Sequence, residues 1–146
     1  MQIEIKIDSN CKETKVIVVT DKINDEINTL VKKLAQDTPQ LLAGIQGDVL
    51  KILDQHDIFR LYAANGKVYA ETEDGEYLFR LRLYELEERL DKHDFVRISN
   101  SEIINLKKVK GFDLSYTGTI CVSFQNDTVA YVSRRYVKKI KQVLGI

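Results

Sequence analysis

Cysteine and histidine are scarce in this chain, and each scarcity removes a class of function. Cys11 and Cys121 are the only cysteines among 146 residues. They are too few and too far apart for a disulfide framework or a zinc site built on CxxC pairs. Reduced thiols suit a cytosolic protein, and Cys121, in an alternating run, reads as a small core residue. His56 and His93 are isolated, with no partner at metal-ligand spacing. No apolar run approaches the roughly 18 residues of a membrane span. The first six residues alternate apolar and polar side chains and lack the apolar stretch of a signal peptide, so a cytoplasmic location is expected. Glycine patterns that cradle dinucleotides or nucleotide phosphates are absent, as is any serine elbow or Cys/His pair that could mark a nucleophile. Gly44-Ile45-Gln46-Gly47 lies between strand-like runs and reads as a turn. No enzyme and no cofactor are expected.

An excess of one charge is also missing overall: 22 basic and 22 acidic side chains give a net charge of zero. The sum hides a division. Residues 1–91 carry 12 basic and 18 acidic side chains, a balance of −6, whereas residues 92–146 carry 10 and 4, a balance of +6. A basic module is joined to an acidic one. Such asymmetry points to a polyanionic partner for the basic part, or to a surface neutralised within the fold.

What is present is strand and hairpin patterning. Ile3, Ile5 and Ile7 alternate with Glu4, Lys6 and Asp8, predicting a strand over 2–8, and residues 15–20 predict a second. Ile23, Ile27, Leu30, Val31 and Leu34 share one helix face. Thr20 or Asp21 is the expected cap, and Thr38-Pro39 the expected stop. Residues 1–39 thus form a β-β-α extension, too small to fold alone. Residues 40–146 form the main domain. Strands are expected in 41–53, broken near Gly47-Asp48, and around the hairpin signals Asn65-Gly66 and Asp74-Gly75. The acidic run Glu71–Glu76 then falls on an exposed hairpin tip. A short helix is expected over Leu83–Leu90. Extended segments at 95–98 and 109–116 are separated by a helical turn at 101–107. A further hairpin turns at Gln125-Asn126-Asp127, and a last helix runs from about 134 to 144, between a Ser133 cap and Gly145. The fold class is α+β, mainly antiparallel β.

The segment Phe95-x-Arg97-x-Ser99-Asn100-Ser101-x-Ile103-Ile104-Asn105 exposes an amide beside hydroxyls in a turn. That is poor catalytic equipment. It suits reading a base edge, because Asn can donate and accept at adenine N6 and N7; alternatively Ser99 or Asn100 caps a short helix. Arg134 and Arg135 sit at a helix start, where free backbone N–H groups also favour phosphate, and Arg can read guanine at O6 and N7. Lys107, Lys108 and Lys110 form a second basic cluster. Lys138, Lys139 and Lys141 lie on or beside the polar face of the last helix.

Together with Val109 and the ending Val132-Ser133-Arg134-Arg135-Tyr136-Val137-x-x-Ile140, this segment resembles the LytTR family of bacterial DNA-binding domains. The resemblance extends back to about residue 40. It implies an elongated, mostly antiparallel β fold that inserts loops into successive major grooves. About 40 residues precede it, too few for the receiver domain that many members carry, so a stand-alone member is expected. By the resemblance, base contacts fall to Lys67 after the Asn65-Gly66 turn, to Asn100 and to Arg135. Ser99, Ser101, Lys107, Lys108, Lys110, Arg134 and Lys138 are assigned to phosphates. Ser99 stands where many members have His, and Glu102 where an aromatic or aliphatic residue is common. The expected function is a sequence-specific transcriptional regulator on double-stranded promoter DNA. It would act as a homodimer on repeated sites through residues 1–39, under possible control by a membrane protein. The alternative is a protein-interaction or anti-regulator module that keeps the fold without reading DNA.

Overall fold

The computed structural model describes residues 1–35 and 41–146, which belong to two units, Met1–Pro39 and Gln40–Ile146.

In the first unit the amphipathic pattern yields one helix, α1 (Asp25–Ala35), with Asp25 and Glu26 in its first turn and Lys32 and Lys33 in its last. These charges oppose the helix dipole at each end. The cap is neither Thr20 nor Asp21. Asn24 Oδ1 accepts the Ile27 N–H at 3.0 Å, and Ile23 falls before the helix. The expected stop at Thr38-Pro39 lies outside the described residues. The strands expected over 2–8 and 15–20 do not form. The bend between them does, since Cys11 N–H donates to the Asp8 carbonyl at 3.1 Å. Ile3, Ile5 and Ile7 are 87%, 84% and 93% exposed. Two strands with no third element over their apolar face gain too little burial to stay paired.

The second unit begins with a hairpin, β1 (Leu42–Gln46) and β2 (Val49–Leu53), and continues with β3 (Ile58–Ala64), β4 (Lys67–Thr72) and β5 (Gly75–Phe79). Helix α2 (Leu83–Arg89) follows, then β6 (Phe95–Ser99), β7 (Glu102–Asn105), β8 (Val109–Asp113), β9 (Ile120–Phe124) and β10 (Val129–Val132), and last α3 (Arg134–Leu144). Every pairing is antiparallel. One sheet has the order β2-β1-β5-β4-β3-β7-β6 and the other β10-β9-β8. Asn65 (φ 55°) and Gly66 (φ 74°) both take the left-handed backbone that a two-residue hairpin turn requires.

The larger sheet buries both faces. On one, Leu61, Ala70, Phe95 and Ile103 pack with Leu83, Leu86 and Leu90 from the α2 segment. On the other, Phe59, Val96, Ile98 and Ile104 pack with Ile120, Val122, Phe124 and Val132 of the small sheet and Ile140 of α3. Neighbouring Ile103 and Ile104 therefore enter different cores, as strand alternation demands. A bulge between Ile58 and Arg60 lets Ile58 join Leu61, three residues on, in the first core.

Three expectations are corrected here. Residues 101–107 are not a helical turn: Glu102–Asn105 is strand β7, and only Leu106–Lys108 turns, as a 3-10 helix. A helix could not send Ile103 and Ile104 to opposite sides of a sheet. Nor do Ser99 or Asn100 cap that turn; Asn105 Oδ1 does, accepting the Lys107 N–H at 3.0 Å. The acidic run is also divided. Residues 73–76 are exposed, but Glu71 and Thr72 are buried.

Candidate nucleic-acid interface

Strand register decides which of the expected site residues meet. β3 and β7 are neighbours, with Tyr62 opposite Glu102, and Ala63 N–H donates to the Ser101 carbonyl at 2.8 Å. The Asn65-Gly66 turn and the Ser99–Ser101 turn thus lie at the same end of adjacent hairpins. Lys67, opposite Ala64, is exposed beside them. The start of α3 joins this end, because Ser133 N–H donates to the Ile98 carbonyl at 2.9 Å. Ser133 is the N-cap residue, with no side-chain cap bond.

The Ser99–Ser101 turn is braced from within. Arg97 donates from Nε to the Ser99 carbonyl at 2.9 Å and from Nη2 to the Asn100 carbonyl at 2.5 Å. Its Nη1 meets Glu87 Oε2 of α2 at 2.8 Å. Ser99 Oγ accepts the Ser101 N–H at 3.2 Å. The Asn100 side chain is exposed, and the Tyr136 hydroxyl of α3 donates to its Oδ1 at 3.1 Å. That bond ties the turn to the helix start, where Arg134 and Arg135 are both exposed. Arg134 lies over Gly118 in the β8–β9 loop, its Nε 3.1 Å from where a Cβ on that glycine would stand. Along α3, Arg134, Lys138 and Lys141 line an open groove of about 530 Å³.

Lys107, Lys108 and Lys110 are not part of this cluster. Phe95 pairs with Asn105 at the open end of the β6–β7 hairpin, about 17 Å from the turn at ~3.4 Å per residue. The three lysines follow from there, and each is engaged. Lys107 Nζ is 3.5 Å from Asp94, Lys110 Nζ is 3.4 Å from Asp127, and Lys108 Nζ lies 5.3 Å from the centre of the Phe59 ring. By contrast, Lys67, Arg134, Arg135 and Lys138 form no salt bridge among the described residues.

Between the two ends lies a charge network beside the second core. Arg60 Nε meets Glu71 Oε2 at 2.7 Å, and its Nη1 meets Glu102 at 3.5 Å. Glu71 Oε1 also accepts from Asn126 Nδ2 at 2.7 Å and from the Thr128 hydroxyl at 3.1 Å, fastening the β9–β10 turn. Burial alone would raise the Glu71 pKa, but the hydrogen bonds from Arg60, Asn126 and Thr128 together hold it below the usual range. Glu102 moves the other way, because burial outweighs its looser contact with Arg60. Tyr62, pushed up to about 12 by burial and by the Glu76 carboxylate it donates to, remains a neutral phenol.

Sequence reasoning missed Arg97 and Tyr136 as working parts of this end. A lone Arg in an otherwise apolar strand was the available signal for the first. For Tyr136 there was none, since its partner is 36 residues away.

A family described as the LytTr DNA-binding domain matches residues 48–145. Among proteins of similar sequence are two from Staphylococcus aureus, of strains NCTC 8325 / PS 47 and COL, each named an uncharacterized HTH-type transcriptional regulator. Each is 31% identical over 147 residues, covering 100% of this chain and 99% of the relative. A solved LytTr DNA-binding domain from Bacillus cereus superposes with a TM-score of 0.70 at 24% identity, covering 73% of this chain and 97% of that one. The mainly β, α+β fold is therefore a shared one. The "HTH" of the relatives' names has no counterpart among the described residues. Among the described residues no two α-helices are consecutive, whereas a helix-turn-helix needs two joined by a short turn.

Proposed function

The chain belongs to the LytTr DNA-binding domain family, and from that premise we propose that it is a sequence-specific regulator that reads promoter DNA with loops. The observation that supports this most is the meeting of the Asn100 turn with the start of α3, surrounded by cations with no carboxylate partner among the described residues. Asn100, Arg135 and Lys67 read base edges in the major groove. Ser99, Ser101, Arg134 and Lys138 hold phosphates beside them and set register rather than sequence. Lys107, Lys108 and Lys110 add phosphate contacts from the other end of the hairpin, in exchange for their contacts with Asp94, Phe59 and Asp127. The reading requires no enzymatic step and no cofactor, and it sets the protein at work in the cytoplasm. No helix among the described residues is long and apolar enough to cross a membrane.

One unit of this size covers a short site, so the regulator acts as a homodimer on repeated promoter sequences. Residues 1–39 supply the contact. Their exposed isoleucines and valines need a cover, and the charge pattern is self-complementary. Antiparallel pairing of two copies centred on Ile5 sets Ile3 opposite Ile7 and Glu4 opposite Lys6, a favourable cross-strand arrangement. A membrane protein covering the same positions would hold the regulator off its promoter.

Gel shifts and fluorescence anisotropy on the chain's own upstream region, across a salt series, test the function. Arg135→Ala and Asn100→Ala are each expected to lose about 1–3 kcal/mol on specific DNA, with Asn100→Ala leaving non-specific binding nearly unchanged. Wild-type affinity in Arg135→Ala would remove that residue from the site. Absence of any salt-dependent DNA binding by the wild type would leave the protein-interaction module as the function.

A further inference from the structure

We infer that Tyr136 is a positioning residue that fixes which way the Asn100 amide faces, and thereby which base-edge groups the turn can read. The inference rests on the DNA-reading function above and deepens it.

The backbone of the turn is already immobilised by Arg97, which grips the carbonyls of Ser99 and Asn100 and is itself anchored on Glu87. That leaves the Asn100 side chain, whose terminal torsion is broad and roughly two-fold. Turning it over exchanges an acceptor for two donors at nearly the same place. Either state can bond the Tyr136 hydroxyl, but a phenol donates a far stronger hydrogen bond than it accepts, so its contact with Oδ1 at 3.1 Å favours the state in which the amide oxygen faces it. The tyrosine can impose this choice because it is itself held. Its ring is half-buried against the second core, and its backbone N–H donates to the Ser133 carbonyl at 2.9 Å, in the first turn of α3.

With Oδ1 engaged, the amide keeps one lone pair on oxygen, and its two Nδ2 donors are unused among the described residues. Such a group favours base edges that present acceptors, N7 of a purine and O6 of guanine. It disfavours the N4 amino donor of cytosine. A freely turning amide would accept either. Tyr136 therefore touches no base, yet it narrows the choice made by a residue that does.

The test uses the full chain and a randomised duplex library, followed by anisotropy on the recovered sequence and on single-base variants of it. Tyr136→Phe keeps the ring in the core and removes only the hydroxyl. It should reduce discrimination at the base pair read by Asn100 by about three- to ten-fold, with the salt dependence of binding unchanged. In an Asn100→Ala background the same change should have no further effect. Replacing the recovered purine by its 7-deaza analogue should weaken the wild type more than Tyr136→Phe. Equal base preference in Tyr136→Phe and the wild type, or an equal loss with and without Asn100, overturns the inference. Side-chain amide NMR gives a readout independent of DNA. The Asn100 NH2 group should be rigid in the wild type and mobile in Tyr136→Phe, and equal mobility in both also overturns it. A wild type that recovers no sequence defeats the DNA-reading function itself, and Tyr136 as its positioning residue falls with it, whatever the NMR reads.

Discussion

Asn100 and Asn105 stand at the two ends of one short hairpin, and the surroundings make them different instruments. Asn105 is 1% exposed. Its Nδ2 donates to the Ile58 carbonyl at 2.8 Å, and its Oδ1 accepts the Lys107 N–H at 3.0 Å. Both functions of the amide are consumed by backbone groups that would otherwise be orphaned. Asn100 is exposed, has its backbone held by Arg97, and gives up only one acceptor site, to Tyr136. The cations divide in the same way. Those beside Asn105 are engaged with Asp94, Asp127 and Phe59, whereas Arg134, Arg135, Lys138 and Lys67 are not. One end of the hairpin spends its polar groups on the fold. The other leaves most of its cations without a carboxylate partner among the described residues.

The largest expected effect tests the structural asparagine. Asn105→Ala should cost about 2–3 kcal/mol in urea unfolding, because it strands two backbone groups in or beside the core. Asn100→Ala should change stability by no more than about 0.5 kcal/mol, as expected for an exposed side chain. Equal losses in the two variants would erase the distinction between the ends.

Next in size are the carboxylates of the Arg60 network. Glu71→Gln should destabilise by about 1.5–2 kcal/mol at neutral pH, a value for hydrogen bonds to a charged group discounted for partial exposure. The folded state holds the Glu71 pKa below its unfolded value, so its contribution is present above the ordinary carboxylate range. It is lost as pH falls through the lower folded value, and the gap between wild type and Glu71→Gln should narrow as pH drops below the ordinary carboxylate range. Glu102 has the opposite sign: its pKa is raised on folding, so its charged form weakens the fold as pH rises. Glu102→Gln should therefore be neutral or slightly stabilising at neutral pH. Urea titrations at several pH values measure both. A fall in stability for Glu102→Gln as large as that for Glu71→Gln would show that the two carboxylates are equivalent partners of Arg60.

The smallest effect sharpens the contrast between cations. Lys138→Ala should lower the slope of log affinity against log salt by about one, with equal weakening on all sequences. Lys107→Ala should lower it by less, since Lys107 must first leave Asp94. Equal slopes would mean that Lys107, despite its contact with Asp94, reaches phosphate as freely as Lys138.

Much of the fold was legible because its signals are local. Asn65-Gly66 and Asp74-Gly75 marked their hairpins, Leu83, Leu86 and Leu90 marked the buried side of α2, and Ser133 and Gly145 bracketed α3. Strand β7 was hidden because adjacent Ile103 and Ile104 are buried on both faces of the sheet, which abolishes the alternation that marks a half-exposed strand. Residues 2–8 failed for the converse reason. Their alternation is clear, but it reports an amphipathic segment and not the presence of a partner. At the candidate site, Asn100, Arg134 and Arg135 could be picked out because their residue types and charge fit nucleic acid. The roles of Arg97 and Tyr136 could not, because each acts through a contact the sequence does not print.

The sequence by itself determined where the turns fall, which faces of the strands are apolar and that the last third of the chain is basic, because these depend on residue type and spacing alone. Only the tertiary structure decided which polar groups are left over. Packing of the small sheet and α3 on the large sheet brought the start of α3 to the turn at Asn100, and strand register carried Lys107, Lys108 and Lys110 to the far end. A side chain is available to a ligand only when the fold has not already satisfied it, and that depends on neighbours distant in sequence.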